Sequence, residues 1–330
     1  MRMKFAFIDL FAGTGGIRLP FDELGGTCVM SSEWDKFAQK TYEANFGEKP
    51  FGDICKINVK KVPKCNLILG GFPCQPFSNA GLKKGFEDTR GTMFFEVAKI
   101  IKEKEPEILF LENVKGFKNH DKGNTFKTIA KILDDLGYNL NAQVLNAKDF
   151  GVPQNRERFY MIALRRDKFG KDTFFDFPKP PRIKTRLGDI LEKDVPDKYT
   201  ISDKLWAGHQ RRKKEHQAKG NGFGYCLFNE DSEYTSTISA RYHKDGSEIL
   251  IEQKDKNPRK LTPREAARLQ GYPEDYKIVV SDCQAYHQFG NAVAVPVIRA
   301  LANALKPYLE QIKYDGEIIK AEPVIEGRLV

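Results

Sequence analysis

Short apolar runs alternate with amphipathic stretches through the first half of the chain. Each run is bounded by glycine or polar residues, as is typical of buried strands, and the stretches between them have helical patterns. The predicted strands cover residues 4–10, 27–33, 66–69, 107–114, 141–146 and 159–164. The predicted helices cover residues 36–46, 93–104 and 124–136. This alternation indicates an α/β domain.

The pattern changes after residue 176. Residues 177–181 are rich in proline and have the character of a linker. Residues 182–260 contain short strand patterns, turn residues and cations, and an apolar helix follows that ends near residue 305. We expect a large domain over residues 1–178, a smaller domain over 179–280, a returning helix over 281–313 and a peripheral tail over 314–330.

Composition narrows the class of protein only slightly. The formal net charge is +9, which favours a polyanionic partner such as nucleic acid, although many basic proteins bind none. No apolar run approaches the roughly 20 residues that span a bilayer, so no membrane partner is expected. The six cysteines form no C-x-x-C pair, which suits free thiols in a reducing cytoplasm, and no spacing of cysteine and histidine suggests a metal site.

A glycine-rich turn, residues 11–16, follows the first predicted strand. Such a turn lets a ligand approach the backbone closely. Its pattern is G-x-G-G and lacks the G-x-G-x-x-G spacing that serves a pyrophosphate, which excludes a typical dehydrogenase and favours an adenosine ligand without phosphates. A tight turn with no ligand is the alternative.

Polar and aromatic residues mark the ends of the next two strands. Glu33 lies about twenty residues past the first glycines, where an acid can accept hydrogen bonds from ribose hydroxyls. Trp34 offers a flat face for adenine. Asp53, followed by Ile54, is placed to accept from an adenine amino group. Their order at successive strand ends strengthens the hypothesis of a nucleoside site.

Cys74 follows the buried run 66–69 and has prolines on both sides, at 73 and 76. The prolines fix φ and prevent a helix from starting there, so the thiol is expected on a stiff, exposed turn. We interpret Cys74 as a nucleophile, with a plain core cysteine as the alternative. No histidine lies in a motif that could serve it as in a thiol protease. The long loop 79–92, rich in glycine and cations, is expected to act as a lid.

Further charged residues fall at two later strand ends. Glu112 and Asn113 end the strand next to that of Cys74, at the edge where open α/β sheets bind ligands; a helix cap or a surface acid is the alternative for Glu112. Arg156 and Arg158 alternate with Glu157, which would place both arginines on one face of a strand. There they could hold a carbonyl or phosphate group, or form a surface charge ladder.

These motifs together resemble the C5-cytosine DNA methyltransferases, particularly the short prokaryotic modification enzymes of restriction systems. The similarity runs from residue 5 to about 305. Thr14 and Ala292 depart from the usual larger apolar residue and serine; neither touches the chemistry, although Ala292 is expected to weaken a cofactor contact slightly. The motifs in family order are 11–16, Glu33-Trp34, Asp53-Ile54, Pro73-Cys74-Gln75, 112–114, 154–158 and 288–291.

The resemblance implies a class I S-adenosylmethionine-dependent methyltransferase fold. This is an α/β, Rossmann-like mixed sheet of seven strands, with a smaller, mostly β target-recognition domain and a C-terminal helix that returns to the catalytic domain. It implies a cytoplasmic, monomeric DNA (cytosine-5-)-methyltransferase that acts on double-stranded DNA. A cognate restriction endonuclease would be linked genetically rather than by contact.

The resemblance also implies residue roles. Cys74 would add to C6 of a flipped-out cytosine, while Glu112 acts at N3 and the 4-amino group. Arg158 would hold O2, with Arg156 supporting it and Asn113 bracing the site. S-adenosyl-L-methionine would donate the methyl group, leaving S-adenosyl-L-homocysteine, without a metal. Its predicted contacts are Phe11, Gly13, Gly15, Gly16, Glu33, Trp34, Asp53, Ile54, Gly71, Pro73, Met93 and Asn291.

Residues 219–249 resemble the recognition region of enzymes for CCWGG, CCNGG or CCGG sites. We therefore expect methylation of the inner cytosine of a site that begins CC and ends GG. Two alternatives are a tRNA cytosine methyltransferase and a non-catalytic DNA-binding regulator on the same scaffold. The residues expected to contact DNA are Gln75, Ser78, Arg90, Thr237, Ser239, Arg241, Tyr242 and Lys244.

Overall fold

The computed structural model describes residues 4–73, 93–222, 224–312 and 320. The chain divides into two compact units. The large unit consists of Met1–Leu145, Glu157–Lys179 and Ile298–Val330, and the small unit of Asn146–Arg156 and Pro180–Val297.

A six-stranded sheet forms the centre of the large unit. Its order is β2-β1-β3-β4-β6-β5; β1 is parallel to β2 and β3, β3 is parallel to β4, and β6 is antiparallel to β4. The parallel strands are buried along almost their whole length, as expected when helices cover both faces of such a sheet. The strands are β1 Ala6–Leu10, β2 Thr27–Ser32, β3 Leu67–Gly71, β4 Ile108–Val114, β5 Tyr138–Asn146 and β6 Glu157–Arg165.

The predicted seventh strand is reduced to a single residue in the described part of the chain. Phe51 forms an isolated parallel bridge with Ser32, and its backbone exchanges hydrogen bonds with Ser31 and Glu33, both 2.8 Å long. Pro50 has no N–H to donate, and Gly52 follows directly, so a longer ladder is not favoured. Over the described residues, the expected sheet of seven strands is corrected to six strands and this bridge.

Helices of the large unit begin and end at local signals in the sequence. Asp35 caps α2 by accepting a hydrogen bond from the Ala38 N–H at 2.7 Å, and Gly47 ends that helix with φ +71°. The bounds of α2 and α3 confirm the predicted helices 36–46 and 93–104. The helices are α1 Arg18–Glu23, α2 Lys36–Phe46, α3 Met93–Lys104, α4 Asn124–Asp135 and α5 Arg166–Phe169, with α10 Val295–Ala304, which starts in the small unit, and α11 Lys306–Leu309 towards the C-terminus.

The small unit is more helical than predicted. Its longest element is α6, a 16-residue helix that begins after the N-cap Ser202. Its two named strands are two residues long each and pair in parallel. The expectation of a mostly β domain is corrected, because a capped run of strong helix formers here outweighs scattered turn residues. The elements are α6 Asp203–Ala218, β7 Leu227–Phe228, α7 Tyr242–Asp245, β8 Leu250–Ile251, α8 Pro263–Leu269 and α9 Asp282–Asn291.

Candidate active site

The predicted catalytic carboxylate lies beside the strand that leads to Cys74. Strands β3 and β4 are parallel, and their register pairs Gly71 with Glu112. A Cβ atom added at Gly71 would lie 3.3 Å from Glu112 Oε2. A larger residue at position 71 would therefore press on the carboxylate. Cys74 itself, and with it Gln75, Ser78, Arg90 and the predicted lid 79–92, lie outside the described residues.

Asn113 ties the ends of these two strands together. Its Nδ2 donates to the Phe72 carbonyl at 2.9 Å, and its Oδ1 accepts from the Val114 N–H at 2.9 Å. Asn113 is buried, and so is the Phe72 ring, whose centroid is 5.5 Å from those of both Phe94 and Phe117. The backbone two residues before Cys74 is thus fixed by a buried hydrogen bond and by aromatic packing.

Arg158 lies next to the Glu112 carboxylate. Strand β6 is antiparallel to β4 and places Arg158 opposite Val114. Arg158 Nε is 3.3 Å from Glu112 Oε1, and the two side chains are only 15% and 11% exposed. A nearly buried pair of this kind presents donors and an acceptor at one edge of the sheet. It can bind the amide-like edge of a flat ring through several charge-assisted hydrogen bonds.

The glycine-rich turn is tied to the second strand by a buried carboxylate. Glu33 accepts hydrogen bonds from the Gly13 and Asp35 N–H groups, each at 2.8 Å. Burial raises the pKa of the Glu33 carboxyl, while these backbone N–H groups oppose the rise. Gly13 and Gly15 have φ of +53° and +73°, and a Cβ at Gly15 would lie 2.2 Å from the Phe46 ring. At these two positions of the turn, only glycine fits without strain.

The surroundings of Glu33 fit an adenosine. Trp34 is 80% exposed and presents a flat aromatic face directly after the carboxylate. Asp53 is half-buried and caps a short helical turn by accepting from the Cys55 N–H at 3.0 Å. Ile54 is buried in the core. Carboxylates for hydroxyl and amino groups, and an aromatic face for a base, are the groups that bind a nucleoside.

The other predicted cofactor contacts differ in setting. Phe11 has φ +54°, within the glycine-rich turn, and Gly16 is buried. Met93 is half-buried against the core at the start of α3, whereas Pro73 is exposed. Asn291 ends α9 in the small unit. Their contacts with a cofactor stay predictions.

Arg156 is a core residue of the small unit. Its guanidinium donates to the carbonyls of Ile238 and Gly290, both at 3.0 Å, and to that of Ala292. Strand alternation predicts Arg156 on the same face as Arg158, but β6 begins at Glu157, so the alternation does not extend to Arg156. Arg156 therefore holds backbone segments of the small unit in place, and its predicted support of Arg158 stays a prediction.

Gln154 is a buried neighbour to which the sequence assigns no separate role. Its Nε2 donates to the Leu269 carbonyl and to Gln270 Oε1, both at 3.1 Å, and its Oε1 accepts from the Ile238 N–H at 3.1 Å. Gln154 and Arg156 therefore both hold the backbone at Ile238, next to two predicted DNA contacts. The signal that could have pointed to Gln154 is its position as the first residue of the motif 154–158, where a glutamine has no evident role in the chemistry.

The predicted DNA contacts of the small unit fall into three settings. Tyr242 is fully buried; its hydroxyl donates to the Ile249 carbonyl at 2.7 Å, which corrects the prediction that it contacts DNA. Thr237 and Ser239 are half-buried, and their hydroxyls donate to the Asn155 carbonyl and to Glu248. Arg241 and Lys244 are exposed. The side chains of Arg241 and Lys244 can therefore contact a ligand without any rearrangement of the protein.

Two of the described cysteines are unsuited to act as nucleophiles. Cys28 and Cys65 are buried, and burial raises the pKa of both thiols. Among the described residues, no cluster of three or more His, Cys, Asp or Glu side chains has the arrangement of a metal site. Over the same residues, none of the helices is long and apolar enough to span a membrane.

The chain is similar to several known proteins. Residues 5–307 match the family of C-5 cytosine-specific DNA methylases. Type II methyltransferase M1.ScrFI of Lactococcus lactis subsp. cremoris is 60% identical over 311 residues, which cover 94% of this chain and 80% of the relative. Type II methyltransferase M.DsaV of Dactylococcopsis salina is 54% identical over 321 residues, covering 97% and 91%. A solved methyltransferase structure from Entamoeba histolytica aligns with a TM-score of 0.74 and 22% identity, covering 93% of this chain and 99% of that one, which shows the fold.

Proposed function

Because the chain belongs to the C-5 cytosine-specific DNA methylase family, as a type II DNA methyltransferase of the restriction–modification kind, we propose the role that each site residue plays in its reaction. The proposal depends most on one observation, the Glu112–Arg158 pair beside the strand that leads to Cys74. We propose that Cys74 attacks cytosine while this pair binds the base.

The first step, addition of Cys74 to C6, makes C5 of cytosine reactive. C5 of cytosine is a weak nucleophile, and a thiolate that adds to C6 converts the ring into an enamine. The new S–C6 bond moves the electron pair of the C5–C6 double bond towards N3. Glu112, by giving or sharing a proton at N3, stabilises that density, and it accepts from the 4-amino group, which selects cytosine over thymine. Arg158 donates to O2.

The second step transfers the methyl group and releases the enzyme. S-adenosylmethionine, when bound, supplies an electrophilic methyl group to C5. Glu33 would hold its ribose, Trp34 would stack on its adenine, and Asp53 would accept from the adenine amino group. N3 returns its proton to Glu112 as the C4–N3 double bond re-forms. The C5 proton then leaves to water, its electron pair re-forms the C5–C6 double bond, and the S–C6 bond breaks to return the thiolate of Cys74.

The base has to leave the duplex for this chemistry. C6 is inaccessible in stacked DNA, so we propose that the cytosine is flipped out, at a cost of a few kcal/mol. Contacts with Glu112 and Arg158, and the predicted closure of the loop 79–92, would recover that cost. The enzyme would act as a monomer in the cytoplasm, and a restriction endonuclease linked to it genetically would cut the same site.

The target sequence is proposed from the resemblance of residues 219–249 to the recognition region of enzymes for CC…GG sites. Bisulfite sequencing of a plasmid from cells that express the protein tests it, with Cys74→Ala as the inactive control. We expect protection from conversion at the inner cytosine of sites that begin CC and end GG, and none with the control. Modified cytosines outside such sites would contradict the target, and methyl transfer to tRNA but not to duplex DNA would contradict the substrate.

A further inference from the structure

Helix α6 is unusual because it buries very little of itself. His209 is its one fully buried residue, and the apolar side chains Leu205 and Trp206 are half-buried. Helices on protein surfaces normally have a wide apolar stripe that packs on the core. A helix that is polar on nearly all sides lacks this packing and is more often exposed for contact with solvent or a partner. The 16 residues of α6 include five Lys or Arg and two Asp or Glu, a formal charge of +3.

One aromatic ring holds the inner side of α6. The ring of Tyr225 lies 4.7 Å from that of Trp206 in an edge-on arrangement, and Lys213 Nζ lies 4.2 Å from the centre of the Tyr225 ring. Trp206 and Lys213 are seven residues apart and share one helix face. The opposite face therefore points away from this contact.

Arg212, at the side of the helix, is held in one orientation. Its NH2 group donates to His209 Nδ1 at 2.7 Å and lies 3.2 Å from Asp245 Oδ2. His209 Nε2 is 3.3 Å from the Asp245 carbonyl. An arginine at Nδ1 requires a neutral ring with its proton on Nε2, in agreement with a His209 pKa that burial lowers. Asp245 compensates the charge of Arg212.

The face of α6 that points away from Tyr225 carries cations whose charge is not balanced by a neighbouring acid as that of Arg212 is by Asp245. Lys204 and Lys214 are exposed, and within the described parts of the chain neither forms an ion pair. Arg211 is 76% exposed, and its contact with Glu215 is 3.7 Å long. An exposed pair of that length contributes little and exchanges readily for another anion.

A concave surface lies between these cations. Lys204, Gly208 and Arg211 follow one another at spacings of four and three residues, so they share one helix face. A Cβ added at Gly208 would meet nothing within 4 Å. The depression over it has a volume of about 340 Å³ and is lined by Ser202, Lys204, Leu205, Gly208, Arg211 and Arg212.

We propose that this face of α6 binds the phosphate backbone of the DNA substrate, through Lys204, Arg211 and Lys214. The proposal rests on the DNA methyltransferase function and adds a surface that is independent of the catalytic pair and of the predicted base-reading residues. Phosphate oxygens match ammonium and guanidinium donors, and the absent side chain at Gly208 leaves room for a strand to approach. Such contacts position a protein on DNA without reading its sequence.

The test measures binding of a duplex that contains the target site over a range of salt concentrations. In the triple variant Lys204→Gln, Arg211→Gln, Lys214→Gln, we expect the slope of log K against log [salt] to become shallower by roughly 2 to 3, because about one counterion is released per phosphate contact. At salt near 100 mM we expect Kd to rise on the order of tenfold or more. Bisulfite sequencing should find the same methylated sites.

A matched control separates contacts from net charge. Lys184→Gln, Lys193→Gln, Lys254→Gln removes three exposed cations of the same unit, and we expect it to keep the wild-type slope. Equal slopes in the wild type and the α6 variant, or equal losses in both triple variants, would overturn the proposal, and so would a changed target sequence. Binding is read independently of methyl transfer, so a wild-type protein that binds duplex DNA but does not methylate it would contradict the proposed function instead.

Discussion

Asn113 shows how one side chain can govern a reaction that it does not carry out. The sequence grouped it with the catalytic residues. The resemblance implies that it braces the site, and in the structure its amide joins the Phe72 carbonyl to the Val114 N–H and so links the ends of β3 and β4. Cys74 follows Phe72 by two residues. We therefore regard Asn113 as a positioning residue, acting on the nucleophile through the backbone.

Replacing Asn113 should slow methyl transfer while cofactor affinity is kept. Asn113→Ala leaves the buried Phe72 carbonyl unpaired, at a cost of about 1–3 kcal/mol. A misplaced nucleophile lowers the single-turnover rate by roughly 100-fold. Asn113→Asp keeps the acceptor for Val114 but loses the donor, so it should be slow as well. Rapid-quench kinetics and equilibrium titration with S-adenosylmethionine measure the two quantities. Wild-type rates in both variants would contradict the positioning role.

Sequence reasoning succeeds for residues whose place depends on strand ends. Glu112 could be assigned to the ligand-binding edge of the sheet because parallel strands end there. Sequence reasoning fails where the burial of a residue depends on distant partners. Tyr242 packs against Tyr286 and accepts from the Leu261 N–H, and no pattern in the sequence around residue 242 predicts these contacts.

At the scale of elements, the small unit is organised around a polar core. Arg156 and Gln154 satisfy backbone groups of three separate segments, near Ile238, near Leu269 and at the end of α9. Gly290 belongs to the same arrangement, because a Cβ there would lie 2.3 Å from the Ser239 backbone. Contacts between such distant segments arise only in the folded chain.

Removal of Arg156 should destabilise the protein strongly. Arg156→Leu leaves several buried carbonyls without a donor, and we expect the free energy of unfolding to fall by about 3–5 kcal/mol. Urea denaturation followed by circular dichroism measures this. Arg241→Leu is the control at an exposed position and should change stability by less than about 0.5 kcal/mol. Similar midpoints for Arg156→Leu and the wild type would refute the role of this core.

Elements with strong local signals could be predicted, and others could not. Helix α2 has a capping aspartate and a terminal glycine, and its bounds agree with the sequence. The predicted seventh strand shrinks to Phe51 because Pro50 and Gly52 restrict its pairing. Helix α6 lacks the apolar periodicity on which the prediction of helices depends, although Ser202 and the residues after it favour a helix.

At the scale of the whole molecule, a buried acid makes stability depend on pH. Asp9 is 1% exposed within β1, where burial raises the pKa of its carboxyl to about 7. The Tyr42 hydroxyl donates a hydrogen bond to Asp9 Oδ2 at 3.2 Å. The unfolded chain loses this proton near pH 4, whereas the folded chain keeps it to about pH 7. Stability is therefore lost as pH rises between these values.

Asp9→Asn removes this dependence. Between pH 5 and pH 8 we expect the wild type to lose about 2–3 kcal/mol more stability than the variant, at about 1.4 kcal/mol per pH unit until the folded pKa is passed. Urea titrations at both pH values give the difference. Asp135→Asn, at an exposed position, should follow the wild type. Parallel pH profiles for the wild type and Asp9→Asn would show that Asp9 is not protonated in the folded protein.

The central claim is a covalent bond from Cys74 to C6 of cytosine, with Glu112 at N3. A duplex with 5-fluorocytosine at the target position tests it most directly, because fluorine cannot leave as the C5 proton does and the adduct is trapped. With S-adenosylmethionine present, we predict a denaturation-resistant complex whose cross-linked peptide contains Cys74. It should be absent with Cys74→Ser and form at least 100-fold more slowly with Glu112→Gln. No adduct with the wild type, or an adduct on another residue, would contradict the account.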